Sequence, residues 1–271
     1  MLSIFKSKPL IDQSSADWIF EVFEWALIHF DNDEFFSRSR LIQPTNEYFA
    51  GSVSSVYEKA ETIYKHTLNY TGLAHWPFVL QPPEQYRYKP SPQIAINKDD
   101  GQRGIARNSS GATMPMISSQ EPLFITYNPQ QTLKPEDLSS SFAHMIAQYL
   151  VFQTQYFPPG GPDYFAEGTE VLAIFMGFGV MFANSAYTFR GGCGSCYNGQ
   201  SNRQATLSEN EVLFSMALYC KLKQIPTSEA TRHLKKHLRS GYKQALKQID
   251  QQPDKLEALL KLRYTSNVST A

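Results

Sequence analysis

Residues 141–187 read SFAHMIAQYLVFQTQYFPPGGPDYFAEGTEVLAIFMGFGVMFANSAY, and their pattern decides the fold. Apolar residues recur at helical spacing up to about residue 155, and FPPGGPD at 157–163 is a Pro-Gly turn. A second, longer helix is predicted over 163–186. Its apolar run at 171–183 falls short of the roughly 18–20 residues that span a bilayer, so it reads as a buried core helix. His144 and Gln148 stand four apart on one face of the first helix, and Glu167 lies at the start of the second.

Working outward, the C-terminal half is helical. Pro135, Glu136 and Asp137 make a good first turn, because proline fits N1 and acids favour the positive end of a helix. Ser208 and Glu211 form a capping box for a helix to about residue 223, which Pro226 ends. Further helices are predicted over 228–249 and 253–263. The N-terminal third also reads as helical. Ser14 or Ser15 caps a helix to about residue 30, with Trp18, Ile19, Val22, Phe23, Trp25 and Ala26 in period, and a second helix fits 53–68. Between 76 and 128 prolines break the helical pattern. Short β-like runs appear there at 77–80 (PFVL), 93–97 (QIAIN), 103–107 (RGIAR) and 123–128 (LFITYN). The expected architecture is α+β: a helical part over 1–72, a small mixed sheet of three to five strands over 73–130, and a helical part over 131–265. All of it belongs to one domain of 271 residues.

Composition narrows the function. Twenty-five basic side chains balance 25 acidic ones, so no electrostatic footprint for nucleic acid or an anionic membrane is expected. The N-terminal MLSIFKSKPLIDQ turns polar too soon for a signal peptide, and three cysteines are too few for a disulfide framework. The expectation is a cytoplasmic, soluble protein.

Two histidines at i and i+4 on a helix can share a Zn²⁺, a Glu beside the first can take a proton from the metal-bound water, and a Glu on the next helix can complete the site. Here the frame is His144-Met145-Ile146-Ala147-Gln148, and eighteen residues separate Gln148 from Glu167. That interval and the FAEGTE segment resemble the gluzincin division of zinc metallopeptidases. The chain as a whole resembles a family of uncharacterised bacterial proteins. Members with an intact site read H-E-L-x-H-Y-L, then P-G-G, then E-x-L-T-D, an apolar F-G-x-G stretch and A-N. The corresponding residues are His144…Gln148-Tyr149-Leu150, Pro159-Gly160-Gly161, Thr169-Glu170 and FMGFGVMFAN at 175–184.

The resemblance implies a zincin-like helix pair, and the departures from it imply lost chemistry. Met145 accepts no proton, and losing a positioned general base costs on the order of 10²–10⁴-fold. Gln148 offers zinc only a neutral amide oxygen. Matching T-E to T-D puts Ala166 at the ligand position, whereas the eighteen-residue interval puts Glu167 there. The expectation is a pseudo-metallopeptidase with no working catalytic residue and no required cofactor, using a remnant cleft to bind a peptide or protein. Any residual zinc would rest on His144, Glu167 and Glu170.

Two alternatives stay open. An active hydrolase with rearranged ligands would use Glu170 as base and Tyr149 or Tyr164 to polarise a carbonyl. A structural interaction module would present an exposed apolar patch containing Trp18 and Trp25. Cys193 and Cys196, in a glycine-rich CGSC loop, are a candidate thiol pair without the second CxxC of a structural zinc site. Cys220 is expected in a helix core. His233 and His237 share the i, i+4 spacing among Lys235, Lys236 and Arg239, which would repel a metal.

Overall fold

The computed structural model describes residues 8–30, 32–88, 90–92, 94, 105–107, 113–115, 121–186 and 206–265. It is mostly helical with short strands, an α+β architecture. Helix α1 spans Gln13–His29 and α2 spans Val56–Tyr70. The cap of α1 is Asp12 rather than either serine. Its carboxylate accepts from Ser15 N at 2.8 Å, and both serine hydroxyls turn back onto it. Those hydrogen bonds, led by that from Ser14, pull the Asp12 carboxyl down from 3.8 to about 2. A folded-state value below the unfolded one stabilises the fold fully above 3.8 and loses that contribution as pH falls towards about 2. Asp12→Asn should therefore lessen the acid sensitivity of the denaturation midpoint across that window.

Among the described residues four short strands follow. Strands β1 (Phe78–Leu80) and β4 (Leu123–Ile125) pair in parallel, with Phe78 opposite Leu123. Strands β2 (Ile105–Arg107) and β3 (Thr113–Pro115) pair antiparallel. Among the described residues the strands form two ladders rather than one sheet. Of the expected strand at 93–97 only Ile94 is described; it is buried and outside any ladder.

The parallel ladder leans on α3, which spans Pro135–Thr154. Tyr149 of α3 packs edge-on against Phe78 and donates its hydroxyl to the Phe124 carbonyl at 2.7 Å. Gln155, with φ 59, ends α3 in the left-handed conformation. After the Pro-Gly turn, α4 (Phe165–Ala173) packs along α3. The helix expected over 163–186 is interrupted. A π-helical turn at Ile174–Phe178 separates α4 from α5 (Gly179–Ser185), and Gly177 sits at φ 106. There the chain at 40–42 passes against the helix, and Ile42 N donates to the Gly177 carbonyl at 2.9 Å. The 161–185 stretch is long and apolar enough to cross a membrane by composition, but 83% of its most apolar window is buried inside the protein.

Helix α6 (Glu209–Leu222) starts at the Ser208/Glu211 capping box and is buried on nearly every side, from Val212 to Cys220. Phe35 stacks on Phe175 at 4.3 Å and meets Tyr219 of α6 edge-on, which ties the two π-helical turns, Glu34–Arg38 and Ile174–Phe178, to the core. The helix expected over 228–249 is instead the single turn α7 (Thr227–Ala230), an irregular stretch, and α8 (Leu238–Ile249). Helix α9 spans Pro253–Thr265 and packs on α1.

Candidate functional site

His144 projects from the middle of α3 into the contact with α4 and is 3% exposed. Its Nε2 lies 2.9 Å from the Thr169 hydroxyl oxygen, and Phe182 of α5 closes on the ring edge-on at 6.4 Å between centroids. One turn further along α3, the Gln148 amide nitrogen stands 3.4 Å from the same Nε2. Thr169 is a helical threonine whose hydroxyl reaches back to the Phe165 carbonyl at 2.8 Å. A hydroxyl has one hydrogen to give. With that hydrogen on Phe165, Thr169 accepts and His144 Nε2 donates. Turning the Gln148 amide over then sets its oxygen, not its nitrogen, towards the ring N–H, since the two amide atoms are distinguished only by their bonding. In this arrangement the Nε2 hydrogen is given to Thr169.

The acids on α4 do not join it. At 3.6 residues per turn, Ala166 lies about 60° round the helix from Thr169, Glu170 about 100° and Glu167 about 160°. Ala166 therefore shares the His144-facing side, and Glu167 points the other way. Among the described residues the half-buried Glu167 side chain has no hydrogen bond or ion pair. Glu170 is fully buried, and its Oε2 accepts from Thr206 N (3.0 Å), Thr206 Oγ1 (2.9 Å) and Leu207 N (2.8 Å). That carboxylate fastens the chain just ahead of the α6 cap. Met145, beside His144, is half-buried and packed on the core. No group of three His, Cys, Asp or Glu side chains able to hold a metal exists among the described residues.

The other candidates are scattered. The Tyr149 hydroxyl is engaged by Phe124, and burial pushes it up to about 12. Tyr164 is 47% exposed and tilts against Trp18 with ring centroids 5.7 Å apart. Trp18 is half-buried and donates to the Pro159 carbonyl, while Trp25 is only 7% exposed, so the expected exposed patch containing both does not form. His233 lies in the irregular stretch before α8 and His237 at its start, so the i, i+4 geometry expected of one helix is lost. Cys220 is buried in α6, which pushes its thiol up to about 12. Cys193 and Cys196 lie outside the described residues.

Thr169 and Phe182, which enclose the histidine, figured in the sequence only as parts of the T-E and FMGFGVMFAN matches, and their contact with His144 was not read from it. A threonine three residues after Ala166 carries a faint signal, since i and i+3 share a helix face. In comparisons with protein-family models, curated proteins and solved structures, none matches this chain.

Proposed function

We propose that the chain is a metallopeptidase-like protein that has given up its metal and its hydrolysis, and that acts by binding a peptide or protein. The observation that carries this reading is the His144–Thr169 hydrogen bond. It occupies the ring nitrogen that would otherwise face a cation, while Gln148 and Ala166 stand at the other two positions on the shared face. Of the two registers for the α4 ligand, helix geometry supports the one that falls on Ala166. Met145 stands where a general base would be needed. A site lacking two ligands and its base has neither the affinity for zinc nor the proton acceptor for hydrolysis.

The test is cleavage of an unfolded protein substrate by the purified chain, with added zinc and with a chelator. The expected result is no chelator-sensitive cleavage. Chelator-sensitive cleavage that disappears in His144→Ala would overturn the reading.

A further inference from the structure

We propose that a second site, separate from the His144 contact, binds a short peptide of two or three residues with free termini and apolar side chains. A cavity of about 620 Å³ opens between α2, the start of α3, α5 and the loop ahead of α2. Its size falls in the range of small-ligand pockets. Phe49, Ile63 and Met181 supply an apolar surface, and Lys59, Glu136 and His233 supply polar groups. His144 lies about 12 Å further along α3 than Glu136 and does not line the cavity.

The polar wall is pre-set by a residue outside the cavity. Asn184 is 3% exposed. Its Nδ2 donates to Glu136 Oε1 at 2.7 Å and to the His233 carbonyl at 2.9 Å, and its Oδ1 accepts from Lys235 N at 2.9 Å. One buried amide thus fixes the two segments that carry Glu136 and His233. The facing wall is fixed as well. The Tyr70 hydroxyl donates to the Tyr48 carbonyl at 2.7 Å, and His66 Nε2 lies 2.9 Å from the Ala50 carbonyl, tying the loop to α2. A pre-formed pocket spends less binding energy on ordering.

The charges choose the ligand. Glu136 has one oxygen held by Asn184 and, among the described residues, nothing on the other. Lys59, on α2, is half-buried and has no counter-charge among the described residues. One acid and one base without a counter-charge among the described residues, on different helices of a cavity that Phe49, Ile63 and Met181 also line, fit a zwitterion with an apolar body. The amino terminus would pair with Glu136 and the carboxy terminus with Lys59, each a charge-assisted hydrogen bond.

The experiment is calorimetric titration of the full chain with trileucine, N-acetyl-trileucine and trileucine amide. Saturable binding of trileucine is expected, weakened about tenfold by either block. Glu136→Gln, which keeps the bond to Asn184, should weaken trileucine similarly and make acetylation cost nothing further. Lys59→Met should do the same for the amide. No binding, or binding indifferent to both blocks and both variants, overturns the proposal; a response confined to one end overturns two-ended recognition. Neither variant touches the His144 contact, so this failure is separable from failure of the reading above.

Discussion

Gly177→Ala is expected to cost about 4 kcal/mol of stability and to lower the thermal midpoint by about 10 °C, without removing a single favourable side-chain contact. Two effects add. At φ 106 any residue with a Cβ is strained. The new methyl would also press into the carbonyl oxygen of Arg40, which is backbone and cannot rotate away. Relieving that clash means separating the 40–42 segment from the helix and giving up the bond from Ile42 N to the Gly177 carbonyl. A domain has only about 5–15 kcal/mol in total. Urea denaturation of the two proteins checks it, and a change below about 1 kcal/mol would mean that the helix is not kinked there.

Glu170→Leu should cost a similar amount, about 4 kcal/mol, because it leaves two half-buried donors on Thr206 and one buried donor on Leu207 without their acceptor. Glu170→Gln should cost roughly half as much, since an amide oxygen can take the same bonds without the charge. The local readout is hydrogen exchange at the Thr206 and Leu207 amides, which should be protected in the native chain and fast in Glu170→Leu. A carboxylate held in reserve for chemistry would behave differently: neutralising it would leave both stability and exchange unchanged. The contrast makes Glu170 a test of whether the α4 acids serve structure or catalysis.

Local signals carried the helix starts well. Pro135 at N1 and the Ser208/Glu211 box act within one turn, so sequence and structure agree there. The α+β class followed from the proline-broken stretch between two helical halves. What misled was set by distant partners. Glycine inside an apolar helical run costs only about 1 kcal/mol and is compatible with a continuous helix; the kink at Gly177 exists because residues 40–42 lie against it. The basic stretch at 231–237 keeps a helical pattern. It is drawn out of helix where Asn184 bonds to the His233 carbonyl and the Lys235 amide. At α1, Asp12 and two serines all suit a cap, and only the folded geometry chooses the carboxylate both serines can reach.

The site was legible in part. The pairing of the helices that carry His144 and Glu167 could be read from the Pro-Gly turn between them, and the structure packs α3 on α4. Which α4 residue meets His144 depends on the rotation of that helix, and a one-residue change of register turns the contact by about 100°. The part Thr169 plays stayed hidden because a helical threonine ordinarily spends its hydroxyl on its own backbone, as this one also does.

Whether the α3–α4 contact has lost its metal is decided by calorimetric zinc titration of the native chain, Gln148→His, and Gln148→His combined with Ala166→Glu. No tight zinc is expected in the native chain or the single variant, and stoichiometric uptake only when the ligand on α4 is placed at position 166. Stoichiometric zinc in the native chain that vanishes in His144→Ala, or tight binding by Gln148→His alone through Glu167, would contradict it.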